Sequence, residues 1–154
     1  MKIEFRKAKL EDAEIYFQWT NDILVRENSY QQKKISFEEH INWFKRKLNS
    51  SDCFFYFFIS GDKAVGQVRI DKSNDEIVIG ISIDTDYRGK RLGISMLEMA
   101  CEDYFKKFPH STIYAYIKQG NIPSHKIFKE ANFVEDQIVS VKGIDSVKLS
   151  KTKK

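Results

Sequence analysis

The stretch Arg88–Gly93, RGKRLG, decides the fold of this chain because it joins a predicted strand, Glu76 to Asp84, to a long predicted helix. The first turn of a helix carries backbone N–H groups without partners, and such a turn is a ready binding site for anions. Two glycines in the loop let the backbone approach a ligand closely, and three cations stand beside them. The dinucleotide pattern GxGxxG and the P-loop pattern GxxxxGK followed by Ser or Thr are both absent. The loop therefore predicts a ligand that carries phosphate.

Working outward from the loop, hydrophobic periodicity predicts an alternation of strands and helices typical of an α/β protein with a mixed sheet. The helix after the loop has its apolar residues on one stripe and ends before Pro109. The predicted strands are Ile3–Arg6, Cys53–Ile59, Ala64–Asp71, Glu76–Asp84, Thr112–Ile117, Phe133–Val141 and Ile144–Leu149. The other predicted helices are Leu10–Ile23, a helix capped by Ser36 that runs to Leu48, and a short helix opening at Asn121–Ser124.

Length and composition favour one domain that spans residues 1–154 with one core. The chain has 154 residues, of which 42% are hydrophobic and 14% aromatic, which is enough to fill such a core. The formal net charge of +4 comes largely from lysines near the C-terminus, and Lys151–Lys154 is predicted to be a flexible tail. Cys53 and Cys101 are expected to be buried thiols in a reducing compartment. No signal peptide and no membrane-length apolar run is recognised, so a cytoplasmic protein that does not enter the membrane is expected.

The loop Arg88–Gly93 resembles the signature of the GCN5-related N-acetyltransferases (GNAT), which reads arginine or glutamine, two residues, glycine, one residue, and glycine or alanine. Arg91 stands where the family usually has its middle glycine, and if that position needs a positive φ, arginine costs about 1 kcal/mol. A second block resembles the family after the fifth strand, at Asn121, Ser124, Phe128 and Phe133. The two blocks occur at the separation that the family shows.

This resemblance implies the GNAT fold, with a mixed central sheet of about seven strands and about four flanking helices. It also implies acetyl-CoA as co-substrate, with its pyrophosphate on the loop amides, and no metal. The implied cofactor-binding residues are Ile81, Ile83, Arg88, Gly89, Lys90, Arg91, Leu92, Gly93, Asn121, Ser124 and Phe128. Asn121 and Ser124 can equally be a plain helix cap.

The residues that would carry the chemistry lie on and beside the strand Glu76–Asp84. Alternation predicts that its isoleucines pack under the long helix, whereas Val78, Gly80 and Ser82 leave room for a substrate on the other face. In the family, this strand splays from its neighbour and its free amides bind the thioester carbonyl, where they would stabilise an oxyanion. Phe128 replaces the tyrosine that donates a proton in many members. Ser82, Tyr116 and Glu76 are therefore catalytic candidates.

These catalytic assignments have alternatives. Tyr114 and Ser124 are further candidates for the acid, and the thiolate can leave unaided because a thiol pKa near ~8.5 makes it a tolerable leaving group. Glu76 can act as a base through water, or it can be an ordinary exposed carboxylate at the start of a strand.

The N-terminal part resembles the amino-sugar N-acetyltransferases of the pseudaminic acid pathway. The likeness lies in Trp19–Asp22, Val25-Arg26, Ser29, Ile35, Glu38–His40, Trp43-Phe44 and Gly66–Asp71. It implies acetylation of the 4-amino group of a UDP-linked amino-deoxy sugar. The candidate substrate-binding residues are Arg26, His40, Trp43, Gln67 and Arg69, with cations for a diphosphate and an aromatic ring for a base or sugar.

Several alternatives stay open. Trp19 can belong to the core, Trp43 can merely cover Phe44, and Arg26 can form an ion pair with Glu39. Acetyltransferases of ribosomal-protein N-termini share a similar pattern, so a protein N-terminus or a polyamine is an alternative acceptor. A CoA-binding module without transfer activity is the non-enzyme alternative, and a nucleic-acid partner is not expected. The protein is expected to be a monomer or a homodimer.

Overall fold

The computed structural model describes residues 1–153 and contains one seven-stranded sheet with five α-helices, which confirms the predicted α/β fold. The strands are β1 Glu4–Lys7, β2 Cys53–Ser60, β3 Lys63–Ser73, β4 Glu76–Ile83, β5 Thr112–Lys118, β6 Val134–Val141 and β7 Ile144–Thr152. The helices are α1 Ala13–Thr20, α2 Ile23–Asn28, α3 Phe37–Leu48, α4 Leu92–Lys107 and α5 Ile122–Glu130. The strand order is β1-β2-β3-β4-β5-β7-β6.

The neighbouring strands β4 and β5 are parallel, and they pair only at their first residues. The paired positions are Ile77 with Ile113 and Val78 with Tyr114, whereas β3 follows β4 along its whole length. All other neighbouring strands are antiparallel. From Ile79 onward the two parallel strands separate, which leaves the β5-facing backbone groups of β4 free for a ligand.

The sheet is covered on both faces, and the aromatic side chains of β2 are buried on both of them. Tyr56 and Phe58 belong to the core under α4, whereas Phe55 and Phe57 pack with α1 and α3 on the opposite face. A strand buried on both faces has no solvent-facing positions, so its sequence does not alternate. Cys53 is buried and unpaired, as is Cys101 in α4.

The prediction of one helix over Leu10–Ile23 was wrong, because the chain breaks at residues 21 and 22. Leu10 lies in a short 3-10 turn, and α1 ends at Thr20. The Asp22 side chain then accepts hydrogen bonds from the N–H groups of Leu24 and Val25 and begins α2. The sequence predicted one helix because the apolar spacing continues across this cap.

The prediction of a flexible tail over Lys151–Lys154 was wrong for its first two residues. Strand β7 extends to Thr152 because Lys151 and Thr152 pair with Ile113 and Thr112 of β5. Lys151 Nζ donates a hydrogen bond to the carbonyl oxygen of Ala131 at 2.8 Å. Lys154 lies outside the described residues. Within the described part of the chain, no helix is long and apolar enough to cross a membrane.

Candidate active site

Two cavities meet at the end of β4, around Gly80, Ile81 and Ser82. The first, of about 590 Å³, lies where β4 and β5 separate; we call it the β4–β5 cleft. It is lined by predicted residues from β4, the loop, β5 and α5: Ile81, Ser82, Ile83, Arg88, Gly89, Tyr116, Asn121, Ser124 and Phe128. The second, of about 480 Å³, is enclosed by α2, the segment 29–35, α3, β3 and β4; we call it the N-terminal pocket. All five predicted substrate residues line it: Arg26, His40, Trp43, Gln67 and Arg69.

The loop at the start of α4 has the backbone of an anion site. Gly89 has φ +75°, and Arg91, at the N-cap of α4, has φ +61° and ψ +19°. The middle position of the signature therefore adopts the left-handed region, where arginine is strained by about 1 kcal/mol relative to glycine. Within the described residues, the turn and cap hydrogen bonds engage none of the N–H groups of residues 89–93. No acidic residue lies in the first turn of α4, so nothing there repels an anion.

Gly93 has a packing role that the sequence did not predict. It is buried, and a Cβ at this position would lie 3.1 Å from Ile83 Cδ1 and 3.3 Å from two carbons of Ile127. The missing side chain lets α4 begin directly against β4 and α5. Leu92 is also buried and joins the core under α4.

The cations of the loop differ in what they can offer to a phosphate. Lys90 and Arg91 are exposed and line a shallow depression at the start of α4. Arg88 is already engaged: its Nε donates to the carbonyl oxygen of Ile83 at 3.1 Å, and its Nη2 lies 2.9 Å from Asp22 Oδ2. Two nitrogens of the Arg88 guanidinium thus have partners within the protein, and the residue also lines the β4–β5 cleft.

The α5 residues of the second block line the β4–β5 cleft in the roles of a cap and a floor. Asn121 Oδ1 accepts a hydrogen bond from Ser124 N at 3.4 Å, so Asn121 is the N-cap of α5. Phe128 is buried and meets Phe133 edge-on at 5.1 Å between ring centroids. Phe128 has no hydroxyl group that could donate a proton, and its ring contributes an apolar wall to the cleft.

Ser82 lies at the junction of the two cavities and is held by a side chain of the neighbouring strand. Gln67 Nε2 donates a hydrogen bond to Ser82 Oγ at 3.2 Å across the β3–β4 pair. Gln67 Oε1 is buried and has no hydrogen-bond partner among the described residues. A buried acceptor without a donor is costly, so a donor from a bound molecule would satisfy it.

Tyr116 and Glu76, two of the three catalytic candidates, are engaged with each other. The Tyr116 hydroxyl donates to Glu76 Oε1, and Lys148 Nζ lies 2.8 Å from Glu76 Oε2. The hydrogen bonds from Lys148 and Tyr116 lower the pKa of Glu76, and burial raises the pKa of Tyr116 with help from the bond to Glu76. Glu76 lines neither cavity. This placement favours the alternative that Glu76 is a structural carboxylate, whereas Tyr116 lines the β4–β5 cleft.

Arg69 and Trp43 lie against each other in the N-terminal pocket, and both are half-buried. The Arg69 guanidinium carbon lies 5.0 Å from the centroid of the Trp43 ring. Among residues 1–153 no carboxylate forms a salt bridge with Arg69. Gly80 pairs with Arg69 across the strands, and a Cβ at Gly80 would meet nothing within 4 Å. Space therefore opens directly beside an unpaired cation.

Arg26 and His40 line the same pocket but are committed to structure. Arg26 donates to the carbonyl oxygens of Gln31 at 2.6 Å and Lys33 at 3.3 Å, and burial lowers its pKa. No Arg26–Glu39 salt bridge occurs in the described residues, so that alternative is wrong.

The His40 ring is buried, and its Nε2 lies 3.2 Å from the carbonyl oxygen of Ala13. Burial lowers its pKa, which favours the neutral ring. Trp19 is a core residue, as its position on an apolar helix stripe allowed: it is 5% exposed, and its Nε1 donates to Asp84.

Comparison with known proteins shows the family of this chain. The model of a family described as "Acetyltransferase (GNAT) domain" matches residues 2–134. The chain belongs to the GNAT acetyltransferase family. Among curated protein sequences, none matches the chain significantly.

Solved acetyltransferase structures share the fold of this GNAT chain over nearly its whole length. An N-acetyltransferase from Staphylococcus aureus Mu50 superposes with a TM-score of 0.85 at 21% identity, covering 100% of both chains. Aminoglycoside acetyltransferase AAC(6')-Ib in complex with coenzyme A and kanamycin gives 0.82 at 16% identity, over 98% of this chain and 95% of that one. Spermidine N-acetyltransferase from Vibrio cholerae in complex with CoA and spermine gives 0.82 at 15%, over 97% and 94%.

This GNAT protein is an acetyl-CoA-dependent N-acetyltransferase, and its residues fit that co-substrate. The free amides at the start of α4 suit a diphosphate, and the unpaired edge of β4 suits an extended amide-bearing arm. Acetyl-CoA supplies the activated acetyl group as a thioester. Beyond Val78 the β5-facing side of β4 has no strand partner, and Gly80, Ile81 and Ser82 of this stretch line both cavities.

Proposed function

We propose that this N-acetyltransferase acts on the amine of a nucleotide-linked amino sugar, with the 4-amino group of a UDP-linked amino-deoxy sugar as the leading candidate. The observation that carries the proposal is Arg69, a cation without a salt-bridge partner among the described residues, lying over Trp43. Guanidinium groups bind phosphate oxygens in pairs of hydrogen bonds, and a tryptophan face accepts a sugar or base.

The polar groups around Arg69 support the orientation of such a substrate. Arg69 pairs with Gly80, and Gln67 pairs with Ser82 at the next position on the same face of the sheet. A diphosphate at Arg69 would place the attached sugar over the gap at Gly80, near the unpaired Gln67 Oε1. Its amine would then lie at the junction with the β4–β5 cleft, where the thioester is expected.

The charge of the N-terminal pocket also supports an acceptor with anionic character. Its charged lining residues are Arg26, Arg69 and Glu39, and burial lowers the pKa of His40, the one histidine in the described lining. The formal balance is one positive charge. A polycation such as an aminoglycoside or a polyamine would meet repulsion from Arg69.

Turnover of a substrate panel tests the proposal. The purified protein is incubated with acetyl-CoA and UDP-linked amino sugars, a polyamine, an aminoglycoside and short peptides, and thiol release is measured. We expect turnover on a UDP-amino sugar, with KM at least tenfold higher in Arg69→Met and intermediate in Arg69→Lys, because one charge-assisted contact contributes about 1.5–3 kcal/mol. Turnover on peptides or polyamines with none on the sugars would overturn it.

A second candidate acceptor is a protein N-terminus or a polyamine, and Glu39 is the observation that favours it. Glu39 lines the N-terminal pocket from the first turn of α3, and its carboxylate accepts a hydrogen bond from Ser36 Oγ. A carboxylate at this place can receive an ammonium group. Loss of turnover in Glu39→Gln combined with normal turnover in Arg69→Met would establish this second candidate.

A further inference from the structure

Three side-chain hydrogen bonds join the break between α1 and α2 to the segment that leads from β4 into the cofactor loop. Trp19 Nε1 donates to Asp84 Oδ2 at 2.9 Å. Thr85 Oγ1 donates to Asp22 Oδ1 at 3.2 Å, and Arg88 Nη2 donates to Asp22 Oδ2 at 2.9 Å. We call the pair Asp22 and Arg88 the latch.

One carboxylate therefore holds two functional parts of the molecule. The same Asp22 Oδ2 accepts the N–H groups of Leu24 at 3.1 Å and Val25 at 3.3 Å, which begins α2. Helix α2 contributes Val25 and Arg26 to the N-terminal pocket. Arg88 is also the first residue of the loop Arg88–Gly93, whose free amides suit a diphosphate.

Helix α2 depends strongly on this anchor. It has six residues, none of them buried, and Ile23 is 71% exposed. A helix this short is not stable by itself in water, so its cap and its tertiary contacts determine whether it forms. Burial by itself would raise the pKa of Asp22, but the hydrogen bonds from Arg88 and Val25 N outweigh it and lower the pKa. The latch carboxylate is thus charged at neutral pH.

We propose that Arg88 is a positioning residue that acts through Asp22: occupation of the cofactor loop fixes the latch, which orders α2 and completes the N-terminal pocket for the acceptor. The Arg88 side chain is fixed at its other end by the Ile83 carbonyl oxygen, so it joins the tip of β4, the loop and α2 in one unit. This inference rests on acetyl-CoA dependence and is independent of which amine is the acceptor.

Amide hydrogen exchange with CoA as the probe tests the inference without a known acceptor. In the wild-type protein, CoA is expected to slow exchange in peptides that cover residues 22–35. In Asp22→Asn and Arg88→Gln, this slowing is expected to fall by at least half. Asp22 lines neither cavity, so calorimetry on Asp22→Asn should give a CoA Kd within about threefold of wild type. Asparagine caps a helix about as well as aspartate, so Asp22→Asn removes the charge and keeps the cap.

An Arg46→Gln variant is the matched control, because Arg46 is exposed on α3 and should leave both measurements unchanged. Far-UV circular dichroism confirms that each variant is folded. The inference is overturned if Arg88→Gln raises the CoA Kd tenfold while Asp22→Asn does not, since Arg88 would then bind the phosphate directly. It is equally overturned if CoA leaves residues 22–35 unprotected in the wild type, or protects them equally in both latch variants.

Discussion

The β4–β5 cleft and the N-terminal pocket lie side by side and share Gly80, Ile81 and Ser82, yet they offer a ligand different kinds of group. The cleft offers backbone: the free amides at the start of α4 and the edge of β4 that β5 leaves unpaired. The pocket offers side chains, above all Arg69 and Gln67 of β3 and Trp43 of α3. A backbone site tolerates many side chains, whereas a side-chain site changes its ligand with each substitution.

This difference separates the co-substrate site, which the backbone forms, from the acceptor site, which side chains form. Amides aimed at a diphosphate need only a left-handed turn and a helix start, so Arg91 can replace glycine at a modest cost. The acceptor half has no such backbone device in the described residues, and its specificity depends on which groups the second face of the sheet brings together.

The largest expected effect is on the backbone half and comes from Gly93→Val. Its added carbons would collide with Ile83 and Ile127, and overpacking of this kind costs about 1–3 kcal/mol. We expect the free energy of unfolding to fall by that amount in urea titrations and CoA to bind at least tenfold more weakly. Gly89→Ala is the matched control, since it has open space and only its φ of +75° opposes it. Equal effects of the two substitutions would contradict the packing role.

The side-chain half is tested by Gln67→Met, which removes the unpaired oxygen at similar size. A neutral hydrogen bond contributes about 0.5–1.5 kcal/mol, so the acceptor KM should rise two- to tenfold while the KM for acetyl-CoA stays constant. Gln67→Glu keeps an oxygen acceptor and should restore part of the loss. Steady-state kinetics with the acceptor found in the substrate panel measures both. A change confined to the acetyl-CoA KM would show that Gln67 belongs to the cleft.

A smaller effect is expected at Glu76, which lies outside both cavities. Its pKa is lowered in the folded state, so its pairing stabilises the protein above the unfolded pKa near ~4.3 and is lost as the pH falls through the folded value. Glu76→Gln should cost about 1 kcal/mol at pH 7, with the difference from wild type vanishing in acid. Urea unfolding at neutral and acidic pH measures this. A large loss of kcat at constant stability would instead show that Glu76 acts in catalysis, as a base.

The smallest effect is expected from Arg91→Gly, which sharpens the contrast between backbone and side chain. Relief of the left-handed strain should stabilise the protein by up to about 1 kcal/mol, because the exposed Arg91–Glu130 contact at 3.6 Å contributes little. CoA affinity should fall less than about threefold, and only at low salt. Thermal unfolding and calorimetry at two salt concentrations measure this. A large loss of CoA affinity would mean that the Arg91 side chain itself provides most of the binding to CoA.

The strand–loop–helix unit and the residues that line the N-terminal pocket could be predicted from the sequence. Local patterns marked the loop and the cap at Asn121, because each depends on neighbours in the sequence, and the family resemblance implied the splayed strand. The same patterns could not reveal that Arg88 is engaged by Asp22, 66 residues away, or that Glu76 faces Lys148. They also missed the start of α2, where the apolar spacing of one helix runs on into the next.

By itself, the sequence determined the order of the elements, the strand–loop–helix anion site and the family, since these follow from short-range geometry and spacing. The tertiary structure decided which charges are free. Arg69 and Arg88 look alike in the sequence, but packing gives one a tryptophan face without a carboxylate and the other an aspartate. The reason is physical: the availability of a charge depends on the partners that folding brings within a few ångströms, and those partners come from distant segments.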